Sequence, residues 1–366
     1  MRILIINPFG IGDVLFSTPL VANLREAYPE SYIGYICNIR AKDILYNNPQ
    51  INEIFVFEKD EYRNLWKQAK FKCIKKFISF FTQIKKKRFD AAIDLSLGHQ
   101  YNLFLWLIGV KKRIGYNYRN RGRFLTHKID ISGYNDKPIA DYYLDLLKFL
   151  DIKPKRFNLT MNIPVKNRNW ADEFFKNNDL KGDDLIVGIV PAGGASWGRN
   201  FSYRHWPMEN YAAVADKLIV ELNAKVIIFG DFSEENICRQ VQNAMNRGSI
   251  NACGKTSLKQ FAALLGKCNL VVCNDGGPLH VAVSQDVRTV SIFGPVDEKV
   301  YGPYPPGPKH IVITKNIDCR PCYRSFKLPL CQRRRQCIRD ISADEVFEVI
   351  RESLQLKAQK HSKVIE

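Results

Sequence analysis

Residues 2–15 read Arg2-Ile3-Leu4-Ile5-Ile6-Asn7-Pro8-Phe9-Gly10-Ile11-Gly12-Asp13-Val14-Leu15, and this stretch decides the fold. An apolar, isoleucine-rich run stops at a Pro/Gly turn, after which Val14, Leu15, Thr18, Leu20, Val21 and Leu24 recur at helical spacing. The segment predicts strand, loop and helix. The theme returns at 185–191, an apolar run that leads into Ala192-Gly193-Gly194. Short apolar runs at 32–37, 53–57, 91–95, 225–230, 270–273 and 289–293 are separated by stretches long enough for crossover helices, the spacing of parallel sheets. Helical patterns fall at 206–222, 258–265 and 342–356. A Lys/Arg/Pro/Asn-rich stretch at 153–169 separates two α/β halves, so the domains are expected at 1–160 and 161–341, with a helix and tail at 342–366.

A chain of 366 residues exceeds the usual single-domain range of about 100–200, which agrees with two halves. With 46% hydrophobic and 25% charged residues the composition is globular and excludes a disordered chain. The longest apolar runs, such as 104–110, fall far short of the roughly 18–20 residues that cross a bilayer, and the N-terminus lacks a secretory pattern. A cytoplasmic protein is expected. The formal charge of +18 favours anionic partners without choosing among nucleic acid, lipid phosphate and phosphorylated sugar. Of ten cysteines, Cys37, Cys73, Cys238, Cys253, Cys268 and Cys273 are scattered and expected as small apolar core residues.

Several loops carry chemistry. Gly10-Ile11-Gly12-Asp13 joins a strand to a helix but departs from the dinucleotide pattern, since Leu15 stands at the third glycine and Asp13 would repel a pyrophosphate. An aspartate there is held ionised by the helix dipole, which suits a general base; an ordinary N-cap is the other reading. The loop 191–198 carries no acid, so its amides can approach a diphosphate, and Arg204 nearby can offset charge on a leaving phosphate or remain a solvated arginine. Asn274-Asp275-Gly276-Gly277-Pro278-Leu279-His280 follows an apolar run, where open α/β sheets bind ligands; a capped turn with a satisfied histidine fits equally.

Cys319, Cys322, Cys331 and Cys337 supply four thiols for a tetrahedral zinc or iron site, with reduced surface thiols as the alternative. Basic stretches lie at 67–88, where lysines alternate with Phe71, Ile74, Phe77, Ile78, Phe80 and Phe81, and at 111–128. The first reads as an amphipathic helix suited to an anionic membrane, or as a solvated face over a core contact.

In their order and separation these residues resemble the ADP-heptose:lipopolysaccharide heptosyltransferases of glycosyltransferase family nine. The likeness spans nearly the whole chain through Gly12-Asp13-Val14-Leu15 and Pro19, Arg113-Ile114-Gly115-Tyr116, His205-Trp206-Pro207, Phe229-Gly230-Asp231, Asp275 to His280, and Phe293-Gly294-Pro295. It implies an α/β GT-B architecture of two Rossmann-like domains facing a cleft, with acceptor on the first and nucleotide sugar on the second. It also implies inversion at the anomeric carbon, with no metal required for chemistry. By the resemblance Asp13 deprotonates the acceptor hydroxyl, and Arg204 stands where members usually carry lysine, which keeps the charge and alters the geometry. Gly12, Gly193, Gly194, Asp275, Gly276, Gly277 and His280 match substrate-binding loops, Gly276 replacing the threonine of some members and losing its hydroxyl. Glu234 or Glu235 is implied at the ribose, and Arg113, Arg119, Arg121 and Arg123 at an acceptor-side loop that meets acidic groups.

The cysteine segment resembles that of some members, including those that modify autotransporter proteins, which favours a structural zinc or iron. The implied partners are ADP-heptose or a related nucleotide sugar and an anionic lipid-linked glycan at the inner face of the cytoplasmic membrane, with the enzyme peripherally attached. A same-fold transferase using another nucleotide sugar or a protein or polysaccharide acceptor is the alternative enzyme. A basic nucleic-acid-binding protein is the alternative class; no recognised nucleic-acid motif supports it, and no nucleic acid is expected.

Overall fold

The computed structural model describes residues 1–193 and 202–362. The chain divides into two compact units, Met1–Asn162 and Ile163–Glu366. In the first, strands β1 (Arg2–Ile6), β2 (Tyr32–Cys37), β3 (Glu53–Val56), β4 (Ala91–Asp94), β5 (Lys112–Tyr118) and β6 (His127–Ile131) form one parallel sheet in the order β3-β2-β1-β4-β5-β6. Helices α1 (Ile11–Phe16), α2 (Thr18–Ala27), α3 (Lys42–Leu45), α4 (Lys59–Gln68), α5 (Lys70–Lys86), α6 (His99–Leu107) and α7 (Ile139–Asp145) connect or flank the strands.

The second unit starts with α8 (Val165–Asn177) and carries β7 (Ile186–Val190), β8 (Lys225–Ile228), β9 (Ile250–Asn251), β10 (Leu270–Asn274), β11 (Arg288–Ile292) and β12 (His310–Ile313). Their order, β12-β11-β10-β7-β8-β9, is again entirely parallel and repeats that of the first sheet when read from the other edge. Around it lie α9 (Met208–Leu222), α10 (Glu235–Ala244), α11 (Leu258–Leu265), α12 (Gly277–Ser284), α13 (Glu298–Tyr301), α14 (Gln336–Arg339) and α15 (Ala343–Ser362). Each unit is a Rossmann-like sheet, and the pair gives the expected α/β, GT-B class.

The strand sequences explain this arrangement. A parallel sheet is covered on both faces, so its central strands read as unbroken apolar runs rather than alternating ones. Ile3, Leu4, Ile5 and Ile6 of β1, and Val187 and Ile189 of β7, are fully buried. Leu4, Ile6, Ile36, Phe55, Ala92 and Phe104 share one core, and Val187, Val226, Val272, Ile292, Ile338 and Phe347 share another. Trp206 is buried in the second, where its indole N–H donates to the Ile341 carbonyl at 2.8 Å and fastens the segment before α15.

Three expectations are corrected. The basic stretch at 111–128 holds β5, a turn and the start of β6, so Arg113 lies on a strand rather than in a loop. The stretch at 67–88 is split between α4 and α5 by Ala69, whose backbone is extended at φ −154° and ψ 82°. The helix expected from residue 206 starts at Met208, after Pro207 at its N-cap. The six scattered cysteines are all free and buried, as expected.

Gly115 on β5 lies beside β4, and a β-carbon there would stand 2.6 Å from the main-chain oxygen of Asp94. A backbone atom cannot rotate away, so Gly115→Ala is expected to destabilise the first unit by about 1–3 kcal/mol. An unchanged urea unfolding midpoint would contradict this packing.

Candidate functional site

In each sheet the chain crosses to one side after the first strand and to the other after the fourth, so neighbouring loops part at the carboxyl ends of β1 and β4, and of β7 and β10. Such switch points are where open parallel sheets bind ligands. Of the residues singled out in the sequence, Gly12 and Asp13 follow β1, and Gly193, Arg204, Asp275, Gly276, Gly277 and His280 follow β7 or β10, while the other arginines, Glu234, Glu235 and the cysteines lie elsewhere.

In the second unit the β7 loop is held by three polar contacts. Asn274, at the end of β10, donates from Nδ2 to the Pro191 carbonyl at 2.8 Å and accepts the Trp206 amide at 2.9 Å, which ties β7, β10 and the entry to α9 together. Gly193 donates its amide to Glu234 Oε1 at 2.7 Å, and its carbonyl lies 2.7 Å from His205 Nε2. Its φ of +104°, a backbone that L side chains rarely adopt, suits glycine. Glu234 also accepts the Asp231 amide at 2.9 Å, and burial raises its pKa. Glu235 is not brought to this loop, because its carboxylate pairs with Arg239 at 2.8 Å one turn along α10. Gly194 lies outside the described residues.

Beyond β10, Asp275 is buried against Arg204, with Nη2 and Oδ2 2.5 Å apart. Burial pushes the Asp275 pKa up, while the charges of Arg204 and then Arg320 pull it down. Gly276 is the N-cap of α12 and Gly277 its first residue, so α12 directs its amino end at this turn. His280 lies one turn in, buried, with its pKa lowered to about 3 by burial and then by the Arg204 charge, so it is neutral at physiological pH. Arg204 is itself buried, which disposes of the solvated-arginine reading.

In the first unit Asp13 is half-buried in the first turn of α1, whose N-cap is Gly10. The capping reading is therefore corrected: Asp13 is not the cap. Gly12 precedes it in the same turn, and Asn7 donates to the Asp13 carbonyl at 3.0 Å, fixing the turn to the end of β1. Burial pushes up the phenols of Tyr35, Tyr134 and Tyr143, and the Asp13 charge adds a smaller push to each. Tyr35, Tyr134 and Tyr143 therefore stay neutral.

The four arginines are placed differently from one another. Arg113 spends its guanidinium on the backbone, donating to the Phe124 carbonyl at 2.6 Å and to Val110, so it fastens the turn instead of reaching outward. Arg119 and Arg121 lie over the Tyr118 ring at 5.0 and 5.8 Å, and Arg123 over Phe124 at 5.7 Å.

The cysteine segment does not fit a metal. Cys319 is exposed, Cys322 and Cys331 are half-buried, and Cys337 is buried with its pKa raised to about 11, first by burial and then by the neighbouring thiols. Among the described residues no group of three or more His, Cys, Asp or Glu is arranged to hold an ion. What the segment delivers is Arg320, which donates to the Gly294 carbonyl at 2.8 Å and pairs with Glu298 at 2.6 Å, and Arg335, which donates to the Ser202 carbonyl at 2.7 Å. Both charges act on the loops after β7 and β10, Arg320 on Asp275 and Arg335 on His205.

Sequence reasoning quoted Asn274 in its motif but gave it no role of its own, and gave none to Arg320, Arg335 or Asp94. Asp94 ends β4 beside β1, is buried, accepts the Ser96 amide at 2.9 Å and has its pKa raised to about 6 by burial. Its signal was a carboxylate closing an apolar run at the reversal of strand order.

Comparison with known proteins places this geometry. Residues 77–329 match the model for glycosyltransferase family 9 (heptosyltransferase). The chain is 24% identical over 322 residues to lipooligosaccharide heptosyltransferase 2 of Haemophilus influenzae, covering 83% of this chain and 86% of that protein. A solved family 9 glycosyl transferase from Veillonella parvula superposes with a TM-score of 0.81 at 26% identity over 97% of both chains. ADP-heptose LPS heptosyltransferase II of E. coli gives 0.76 at 21% identity, over 98% of this chain and all of that one, and shows the shared fold.

The Arg204–Asp275 pair sets a pH dependence. A carboxyl raised in the folded state favours folding while protonated, and that contribution is lost as pH rises through its folded value. Arg204→Met removes the charge that holds Asp275 down, so a loss of roughly 3–5 kcal/mol is expected at neutral pH, partly recovered as pH falls into the carboxyl range. Adding Asp275→Asn should abolish that recovery. Equal stability of Arg204→Met across this pH range in chemical denaturation would contradict the pairing.

Proposed function

This chain belongs to glycosyltransferase family 9, and on that premise we propose that it transfers heptose from ADP-heptose to an inner-core lipopolysaccharide acceptor with inversion at the anomeric carbon. The observation that carries the reading is the division of chemistry between the two switch points. A half-buried carboxylate, Asp13, stands at the first, and a cationic, glycine-lined turn built from Gly193, Arg204, Asp275, Gly276 and Gly277 stands at the second. The names of the relatives support the sugar and the acceptor class.

In the proposed step Asp13 accepts the proton of an acceptor hydroxyl, and the oxygen forms a bond to the anomeric carbon. The bond from that carbon to the ADP oxygen breaks on the opposite face, and the electron pair leaves with the diphosphate. Arg204, the amino end of α12 and the Gly193 loop meet the charge that gathers there. Neutral His280 offers a donor to sugar hydroxyl or phosphate oxygen without adding charge. Glu234 holds the Gly193 loop and borders the place assigned to the ribose. Arg119, Arg121 and Arg123 face the acidic groups of the acceptor, while Arg113 supports their turn from behind. The acceptor is lipid-linked in this reading, and the enzyme works attached to the inner face of the cytoplasmic membrane. No helix among the described residues is long and apolar enough to cross a membrane.

Asp13→Asn keeps the shape of the side chain and removes its basicity. Turnover should fall by roughly 10²–10⁴-fold while ADP-heptose affinity and melting temperature stay near wild type. Activity close to wild type would remove Asp13 as the base. A panel of nucleotide sugars assayed by mass spectrometry tests the donor: product from ADP-heptose is expected, and product only from a UDP-sugar would replace heptose and leave the rest of the scheme standing.

A further inference from the structure

The first unit carries a surface that transfer chemistry does not use. Helix α5 reads KFKCIKKFISFFTQIKK and has two faces. Cys73, Phe80, Phe81 and Ile84 turn inward, where Phe80 and Phe81 meet Phe57 with ring centroids 5.3 and 6.0 Å apart and Cys73 and Ile84 are buried. The outward face carries Phe71, Ile74 and Ile78 at helical spacing, respectively 90%, 43% and 58% exposed, and Trp66 at the end of α4 is 49% exposed. Folding leaves these groups in water, and Phe71 is almost wholly uncovered.

The same 17 residues hold six lysines, Lys70, Lys72, Lys75, Lys76, Lys85 and Lys86, and no acid. Lys70 lies over the Trp66 ring at 6.0 Å, an ammonium beside an indole at the rim of the apolar strip. Lysine stems lie along apolar surface while their charges reach water, so apolar strip and cationic collar form one surface.

We propose that the outward face of α5, with Trp66, docks on an anionic lipid bilayer: Phe71, Ile74 and Ile78 enter the acyl boundary and the lysines meet the phosphates. The inference rests on the reading that the acceptor is lipid-linked, and it names the surface that holds the enzyme beside that acceptor. Both halves of the pattern find a partner only there. A second copy of this chain, related by a twofold axis, would set six lysines against six. Nucleic acid would satisfy the lysines and leave the phenylalanine and isoleucines in water. An anionic membrane takes the apolar strip and the charge together, and each alone binds weakly.

The test is sedimentation of the full chain with vesicles of phosphatidylethanolamine and phosphatidylglycerol, against vesicles of phosphatidylcholine alone, at rising salt. The wild type should sediment with the anionic vesicles and be released by salt. Phe71→Ser/Ile74→Ser/Ile78→Ser should lower the partition coefficient roughly tenfold or more, since each loses buried hydrocarbon. Lys72→Gln/Lys75→Gln/Lys86→Gln should weaken binding and flatten its salt dependence. Both variants change exposed positions and should keep the wild-type melting temperature and turnover on a delipidated acceptor. Equal binding to neutral vesicles, undiminished binding by the apolar variant, or a wild-type dimer that this variant splits in size-exclusion chromatography would each overturn the proposal. Vesicle binding without heptosyl transfer would sink the transfer reading and leave the docking face intact.

Discussion

The architecture depends on a constraint of parallel sheets: a strand order that reverses once parts the chain at one place along the carboxyl edge. Both sheets reverse between their first and fourth strands, β1 beside β4 and β7 beside β10. Buried strands need only apolar residues, so polar groups collect where the strands end. Asn7, Asp94 and Asn274 close β-strands or follow them directly, and each spends its side chain on loop backbone. These short amides and carboxylates convert a gap in the topology into loops of fixed shape.

What distinguishes the two gaps is charge. The second is built around a buried arginine and aspartate, flanked by further arginines from the cysteine-rich segment and by the amino end of a helix. Burial raises the Asp275 carboxyl and Arg204 opposes it, so an anion approaching this turn competes with Asp275 for a cation already desolvated. The first gap keeps its acid half-buried near tyrosines that burial holds neutral. The proposed reaction places its base in the first setting and its leaving diphosphate in the second.

Much of this was legible because apolar runs, glycine turns and the first two Rossmann connections are local patterns. The strands β1, β7 and β10 announce themselves as runs dominated by Ile, Val and Leu, since both their faces are covered. Strand β6 at the edge and β5 beside it do not, because they mix Lys, Arg, Asn and Asp with their apolar residues, so a charged stretch hid them and with it the supporting role of Arg113. The break at Ala69 carries no proline or glycine, and nothing local marks it. Among the described residues Cys319, Cys322, Cys331 and Cys337 form no metal-holding group, and sequence spacing alone does not fix where thiols point. Asp94 and Asn274 were given no role because their importance comes from which strands are neighbours, and strand order is not a local property.

In the proposed reaction donor and acceptor chemistry sit on different switch points of one chain. Hydrogen–deuterium exchange of the full-length protein with and without ADP-heptose tests this most directly, peptide by peptide. The account predicts slowed exchange in peptides that follow β7 and β10, covering Gly193 and Asp275 to His280, and little change around Gly12 and Asp13 until acceptor is added. Protection by ADP-heptose confined to the peptides after β1 and β4 would contradict it.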